Sequence, residues 1–302
     1  MTKPICAPPG KWDQRIERAR ELASRYPFAT EVLTFYSKLA AFQQGFYSRL
    51  QSTLGSTTAG ARNGQLPPEL NPHELEALMP QFQPFLSFLM REGPSALAGF
   101  AAGLKKSDPG DCPQLLMRFW RRDERDRKES AEADEGLGEP VRPETGAGPS
   151  DRSGLGRFTA LAFLQPYAEY LADRAAMPPP GVRRPVCPFC GSKPLAGALR
   201  PEGDGAKRSL VCSFCYTEWD YLRIACPACE ESRDERMCVY MAAQFEHVRV
   251  EACETCRTYI KTVDLTKNGL AIPEVDELAA IPLTLWADEQ GYTKLSRNIF
   301  GS

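Results

Sequence analysis

Eight of the 11 cysteines in this 302-residue chain fall into four Cys-x-x-Cys pairs: Cys187/Cys190, Cys212/Cys215, Cys226/Cys229 and Cys253/Cys256. The intervals between pairs are 21, 10 and 23 residues, a long-short-long pattern of two similar units in tandem. A Cys-x-x-Cys turn aims two sulfurs at one point, and two such turns brought together by a hairpin complete a tetrahedron around a metal ion. Intervals of 21 and 23 residues leave room for a pair of antiparallel strands. The pairing expected is therefore Cys187/Cys190 with Cys212/Cys215, and Cys226/Cys229 with Cys253/Cys256, the geometry of zinc ribbons and rubredoxins. All-thiolate tetrahedra suit zinc and mononuclear iron alike. Zinc would make a closed structural site that contributes folding energy, whereas iron could also carry an electron. From chemistry alone zinc comes first. Thiol–disulfide exchange needs only one such pair, so four pairs argue against a thiol oxidoreductase.

The other residues that could do chemistry are few. Cys238 lies in an apolar run and is expected to be buried, and Cys6 and Cys112 have no partner pattern. His73 and His247 are the only histidines, and alternation in "HVRVEA" puts His247 on a solvent-facing strand surface opposite Val248 and Val250. No phosphate-binding glycine loop and no spaced carboxylate pair appears, so no active site is expected. Between Val186 and Thr262 there are ten Lys/Arg and eleven Asp/Glu; eight thiolates with two divalent ions add four more negative charges. That balance disfavours nucleic acid as a partner.

These cysteines need elements to hold them. Val32, Phe35, Leu39, Phe42, Phe46 and Leu50 recur at helical spacing, as do Phe158, Leu161, Leu164, Ala168 and Leu171. "NPHELEALMPQFQPFLSFLMREG" predicts a helix capped by Asn71, stopped at Gly93 and kinked or divided by Pro80 and Pro84. "GDCPQLLMRFWRR" predicts another. A charged, Gly- and Pro-rich stretch at 121–154 is expected to be a mobile loop within a helical domain spanning 1–176. A Pro-rich linker follows at 177–186, with its three consecutive prolines. Beyond it the period changes to short runs rich in Val, Ile, Tyr and Trp, each ending at a cysteine turn. The expected class is thus α+β: the helical domain, a first four-cysteine ribbon at 187–224, a second at 225–266, and a helical tail at 267–302. In that tail Pro282 starts a helix and Gly291 ends it. The net charge of −2 implies no whole-protein attraction to anionic surfaces. Neither a secretory h-region nor a membrane-length apolar run is found, so a cytoplasmic location, not embedded in a membrane, is expected.

The segments "CPFCGSKPLAGALR", "CSFCYTEWDYLRIACPAC", "VEACETCRTYIKTVDL" and "LAAIPLTLWADEQGYTKLSRNIFG" resemble the formate dehydrogenase accessory protein family FdhE. The resemblance implies a cytoplasmic maturation factor rather than an enzyme. It would bind the catalytic subunit of respiratory formate dehydrogenase before export. It also implies rubredoxin-like sites and shifts the metal preference to iron at two mononuclear four-cysteine sites, with zinc the alternative, held by the eight cysteines named above. A structural zinc-ribbon protein binding nucleic acid, or a thiol oxidoreductase, is the competing function. The sequence leaves a homodimer open.

Overall fold

A computed structural model describes residues 10–54, 70, 72–108, 110–120, 154–175 and 183–301. The helical layer contains α1 (Lys11–Arg25), α2 (Thr30–Leu54), α3 (Pro72–Glu92), α4 (Ser95–Lys106), a helix over 111–120 (α5) and α6 (Gly154–Ala172). The expected loop at 121–154 and linker at 177–186 lie largely outside the described residues, as does the Asn71 cap. Helix α6 is the centre of this layer. The stripe expected on one face continues all round it, with Phe158 through Leu171 buried without a break. A helix apolar on every side belongs inside a bundle. Phe163 shows why: it stacks on Phe46 with ring centres 5.0 Å apart and meets Phe82 edge-on at 4.8 Å.

Pro80 and Pro84 do not divide α3, which runs unbroken through both. Both prolines are solvent-exposed, while Leu78, Phe82, Phe85 and Leu89 are buried. The carbonyls deprived of their N–H partners therefore face water, and the apolar stripe holds the helix together.

The remainder is built on one sheet. Its strands are β1 (Pro194–Glu202), β2 (Gly205–Cys212), β3 (Glu218–Asp220), β4 (Met237–Met241), β5 (Val248–Cys253), β6 (Thr258–Asp264) and β7 (Thr293–Lys294). The order is β3-β2-β1-β6-β5-β4, with β7 beside β6. Strands β1–β3 form one antiparallel meander and β4–β6 another, the two ribbons the cysteine spacing implies. They are not independent beads. The first strand of one pairs in parallel with the last strand of the other, Ala196 opposite Lys261 through Leu199 opposite Asp264. Gly197 permits this junction, because a Cβ there would lie 3.2 Å from Thr262 Cβ and nearer still to its hydroxyl. The C-terminal tail holds two short helices, α7 (Pro273–Ala279) and α8 (Ile281–Glu289), and Gly291 closes the second with φ +76°. It is not purely helical: β7 extends the sheet along the edge of β6 that β1 leaves open.

Two further expectations are corrected. His247 is buried, not solvent-facing, because α7 covers that face of the sheet, and Glu251 of β5 is buried as well. His247 Nε2 lies 2.7 Å from Asp276 of α7, and Glu251 accepts a hydrogen bond from Arg208 of β2 at 2.7 Å. Cys238, expected inside, is half-buried because β4 is a sheet edge.

Candidate metal centre

Each cysteine pair sits in a turn of the same design. In three of the four, the residue after the second cysteine donates its N–H to the carbonyl of the first: Gly191 to Cys187 (2.8 Å), Glu230 to Cys226 (2.9 Å) and Arg257 to Cys253 (2.9 Å). That residue is left-handed in all four turns: Gly191 at φ 75°, Tyr216 at 51°, Glu230 at 57° and Arg257 at 57°. Among the described residues Tyr216, Glu230 and Arg257 are the non-glycine residues with positive φ. A side chain in this conformation costs ~1–2 kcal/mol. Its recurrence at one position of the motif shows that the turn, not the local residue, dictates the backbone.

The turns bring the sulfurs together in the expected pairing. In the first cluster Cys187 and Cys215 are 3.7 Å apart, Cys190 and Cys212 3.3 Å, and Cys190 and Cys215 3.6 Å. In the second, Cys226 and Cys256 are 3.6 Å apart and Cys229 and Cys253 3.7 Å. Within each cluster all four sulfurs lie within 4.8 Å of one another. Four sulfurs at a metal–sulfur distance of ~2.3 Å make a tetrahedron with edges of about 3.8 Å, whereas a disulfide needs ~2.05 Å. The donor set fits a tetrahedral thiolate-bound ion and no bridge is formed.

Backbone N–H groups also point at the sulfurs: Cys190 at Cys187 (3.5 Å), Phe214 and Cys215 at Cys212 (3.3 and 3.5 Å), and Ala228 at Cys226 (3.4 Å). Such bonds favour thiolate over thiol. They are not enough alone. Burial pushes the Cys212 and Cys215 thiols well above their ordinary range, raises Cys226 too, and lifts Cys229 to about 11. Cys187 moves the other way: burial opposes its ionisation, but hydrogen bonds from Cys190, Cys212 and Cys215 outweigh it. In each cluster one thiolate is thus supported, Cys187 in the first and Cys256 in the second, and neighbouring thiols are penalised. A cation bound by all four removes that conflict. The two clusters differ in access: every cysteine of the first is buried, while Cys229 is exposed and Cys256 half-exposed in the second.

A network absent from the sequence reading ties the helical layer to these turns. Arg15 of α1 donates from Nη1 to both oxygens of Glu169 in α6 at 2.9 Å and from Nε to Glu274 in α7. Its guanidinium lies between the rings of Trp12 (4.8 Å) and Tyr216 (4.7 Å), the latter adjoining Cys215. Arg18, one turn on, donates to Asp276 at 3.0 Å from Nε. Lys261 of β6, fully buried, donates to the Glu277 and Ala280 carbonyls at 2.7 and 3.2 Å and to Thr284 at 2.9 Å. Burial depresses its pKa to about 8 against the pull of Glu277. Arg208 of β2 donates to the carbonyl of Ala225, next to Cys226, and so links the first ribbon to the second centre. The only sequence hint was the i, i+3 placement of Arg15 and Arg18 beside the Trp12, Ile16 and Leu22 stripe.

A cleft of about 1220 Å³ separates the layers. Its walls come from α2, α4, α6 and residues 293–301, and its floor includes Gly191 and Ser213 of the first centre's turns and Pro227 and Ala228 of the second's.

A helical layer locked by buried ion pairs onto two fused ribbons, each with a four-cysteine cluster, defines a two-centre thiolate scaffold. Residues 186–223 match the family "FdhE, central domain" and residues 224–300 match "FdhE, C-terminal domain". A "Protein FdhE homolog" of Aquifex aeolicus is 26% identical over 293 residues, covering 95% of this chain and 94% of that protein. Another, from Edwardsiella ictaluri, is 29% identical over 303 residues, covering 96% and 87%. The crystal structure of the FdhE protein from Pseudomonas aeruginosa superposes with a TM-score of 0.62 at 22% identity, over 97% of each chain, and has the same fold. Residues 186–300 thus match the two FdhE domains in turn, and the chain is similar to FdhE homologues along nearly its whole length. Among the described residues no helix is long and apolar enough to cross a membrane.

Proposed function

We propose that this protein is a cytoplasmic maturation factor for formate dehydrogenase that binds the enzyme's catalytic subunit before export. In this reading Cys187, Cys190, Cys212 and Cys215 hold one metal ion, and Cys226, Cys229, Cys253 and Cys256 hold a second. The observation that carries the reading is that both four-sulfur clusters sit inside the segments matching the two FdhE domains, in a chain similar to FdhE homologues along nearly its whole length. The role is non-catalytic. Its chemistry is binding: a rigid sheet held by two centres, facing a helical layer across a cleft.

Iron is the metal proposed, with the first centre shielded and the second near solvent. Bound iron would add one-electron chemistry, changing the charge of a centre by one unit; the chain's contribution is the eight sulfurs, the N–H groups aimed at them and the turns that fix both. Two measurements test the proposal. Tagged protein purified without oxygen from its native host should retain the cognate catalytic subunit and hold two metal ions per chain. An absorption spectrum with thiolate-to-iron bands identifies iron, and a featureless spectrum with two zinc ions removes the redox part. Failure to retain the cognate subunit overturns the accessory role.

A further inference from the structure

We infer that the cleft between the helical layer and the two metal turns is where a peptide segment of the partner protein docks, one that combines apolar side chains with carboxylates. The inference rests on the partner-binding role proposed above. Three observations point to it. The first is size: about 1220 Å³ exceeds the ~300–1,000 Å³ typical of small-molecule pockets. The second is the apolar wall, where Phe35, Phe158 and Phe300 pack with ring centres 5.6–6.1 Å apart, flanked by Val32, Leu97 and the half-exposed Phe28.

The third is charge. Arg157, Lys193, Lys294 and Arg297 line the cleft, against Glu31 as the sole carboxylate among its described lining residues. Lys294 is answered by the buried Glu277, while Lys193 and Arg297 are exposed at the rim. The charged residues lining this cavity are thus mostly cationic, in a chain whose net charge is −2. Backbone N–H groups of the floor turns point at the cysteine sulfurs. An occupant complementary to this surface fills the apolar wall and presents carboxylates to Lys193 and Arg297. Because both centres supply floor residues, docking requires both to be assembled.

The test uses the full-length, metal-loaded protein and two fluorescein-labelled nonapeptides, one alternating leucine with glutamate and one alternating leucine with lysine. Fluorescence anisotropy should show saturable binding of the glutamate peptide, at least ten-fold tighter than the lysine peptide. Ala96 is exposed and lines the cleft, so Ala96→Trp should weaken the glutamate peptide at least ten-fold while leaving metal content unchanged. Lys193→Glu with Arg297→Glu, on separate elements, should reverse the peptide preference; this variant decides the matter if Ala96→Trp fails to fold. Absent saturable binding, equal affinity for both peptides, or binding indifferent to both variants overturns the inference. So does a ten-fold gain on deleting residues 121–153, which would make the chain its own occupant, or a dimer that the peptide dissociates. Retention of the catalytic subunit separates this idea from the parent one. If wild type and Ala96→Trp retain it equally, the docking site is wrong and the accessory role stands. If wild type retains none while the peptides still discriminate, the partner is wrong and the cleft stands.

Discussion

Replacing Arg15 by methionine should cost the folded protein ~3–5 kcal/mol, the range for removing one partner of a buried ion pair. Arg15 is 5% exposed, Glu169 1% and Glu274 8%. Methionine keeps the apolar stem between Trp12 and Tyr216 but leaves two buried carboxylates facing its place. At an effective dielectric of 20 a contact of 2.9 Å is worth about 6 kcal/mol before desolvation is subtracted. Lys11, 3.2 Å from Glu169, retains part of that for one carboxylate and nothing for the other. The loss therefore falls well above that of a surface pair.

The same geometry fixes the pH dependence. Burial already holds the Glu169 pKa above the ordinary carboxylate value, although Arg15 and Lys11 pull it down. A raised folded-state pKa means stability that is present below the unfolded pKa and lost as pH rises through the folded one. Removing Arg15 moves the folded pKa further up. The variant's deficit should thus be largest at pH 8 and shrink by about 1 kcal/mol toward pH 6, with a ceiling of 1.4 kcal/mol per pH unit for each carboxylate that takes up a proton. Below that window the thiolates compete with protons for their metal, so the comparison stops there. The assay is urea unfolding at both pH values with metal in constant excess, and Arg15→Met with Glu169→Gln should recover ~1–2 kcal/mol. A deficit under about 1 kcal/mol at pH 8, or one that grows toward pH 6, would refute the claim that this contact locks the layers together.

A chelator titrated against the native protein should empty the second cluster before the first, since Cys229 is exposed while every cysteine of the first is buried; metal release followed by mass spectrometry in Cys190→Ser and Cys229→Ser backgrounds assigns each phase. Glu230→Gly should be neutral or stabilising by ~0.5–1 kcal/mol, and Glu230→Val destabilising by ~1–2 kcal/mol, because the position is left-handed; thermal unfolding at fixed metal reads both. Gly197→Ala should cost ~1–3 kcal/mol through its contact with buried Thr262 at the parallel junction, and Thr262→Ala should restore much of it in the double variant.

The cluster pairing was legible in the sequence because it depends on one-dimensional quantities: spacing within each pair and the hairpin length between pairs. The helices around 32–50, 111–120 and 158–171 were legible for the same reason; α3 was read as well, but local rules predict a break at Pro80 and Pro84 that the buried stripe overrides, while α1 and α4 were not read at all. What escaped is whatever depends on a second segment. Nothing local says that β1 and β6 pair, though Gly197 is a faint trace of it. His247 looked solvent-facing because alternation assumes one wet face, and α7 covers that face with Asp276. Three of the four left-handed turn positions carry Tyr, Glu and Arg, so no glycine marks them.

The parallel β1–β6 junction also determines how the two centres can act together. Had the ribbons met through equivalent strands, a two-fold axis would have set their turns on symmetry-related faces. Here the first strand of one meets the last strand of the other, a head-to-tail contact that would propagate if it were not stopped. It is stopped by the short β3 at one end and by the edge strand β4 at the other, while β7 and α7 cover β6 where the junction ends. The outcome is one surface on which turns of both centres line a single cleft. The Arg15 network then sets the opposite wall, because a guanidinium that donates to both Glu169 and Glu274 and lies between two rings tolerates little sliding between α1, α6 and α7. The cysteine turns and the ion pairs do different work here: the turns gather the sulfurs of each cluster, and the buried charges fix the register of the helical layer over them.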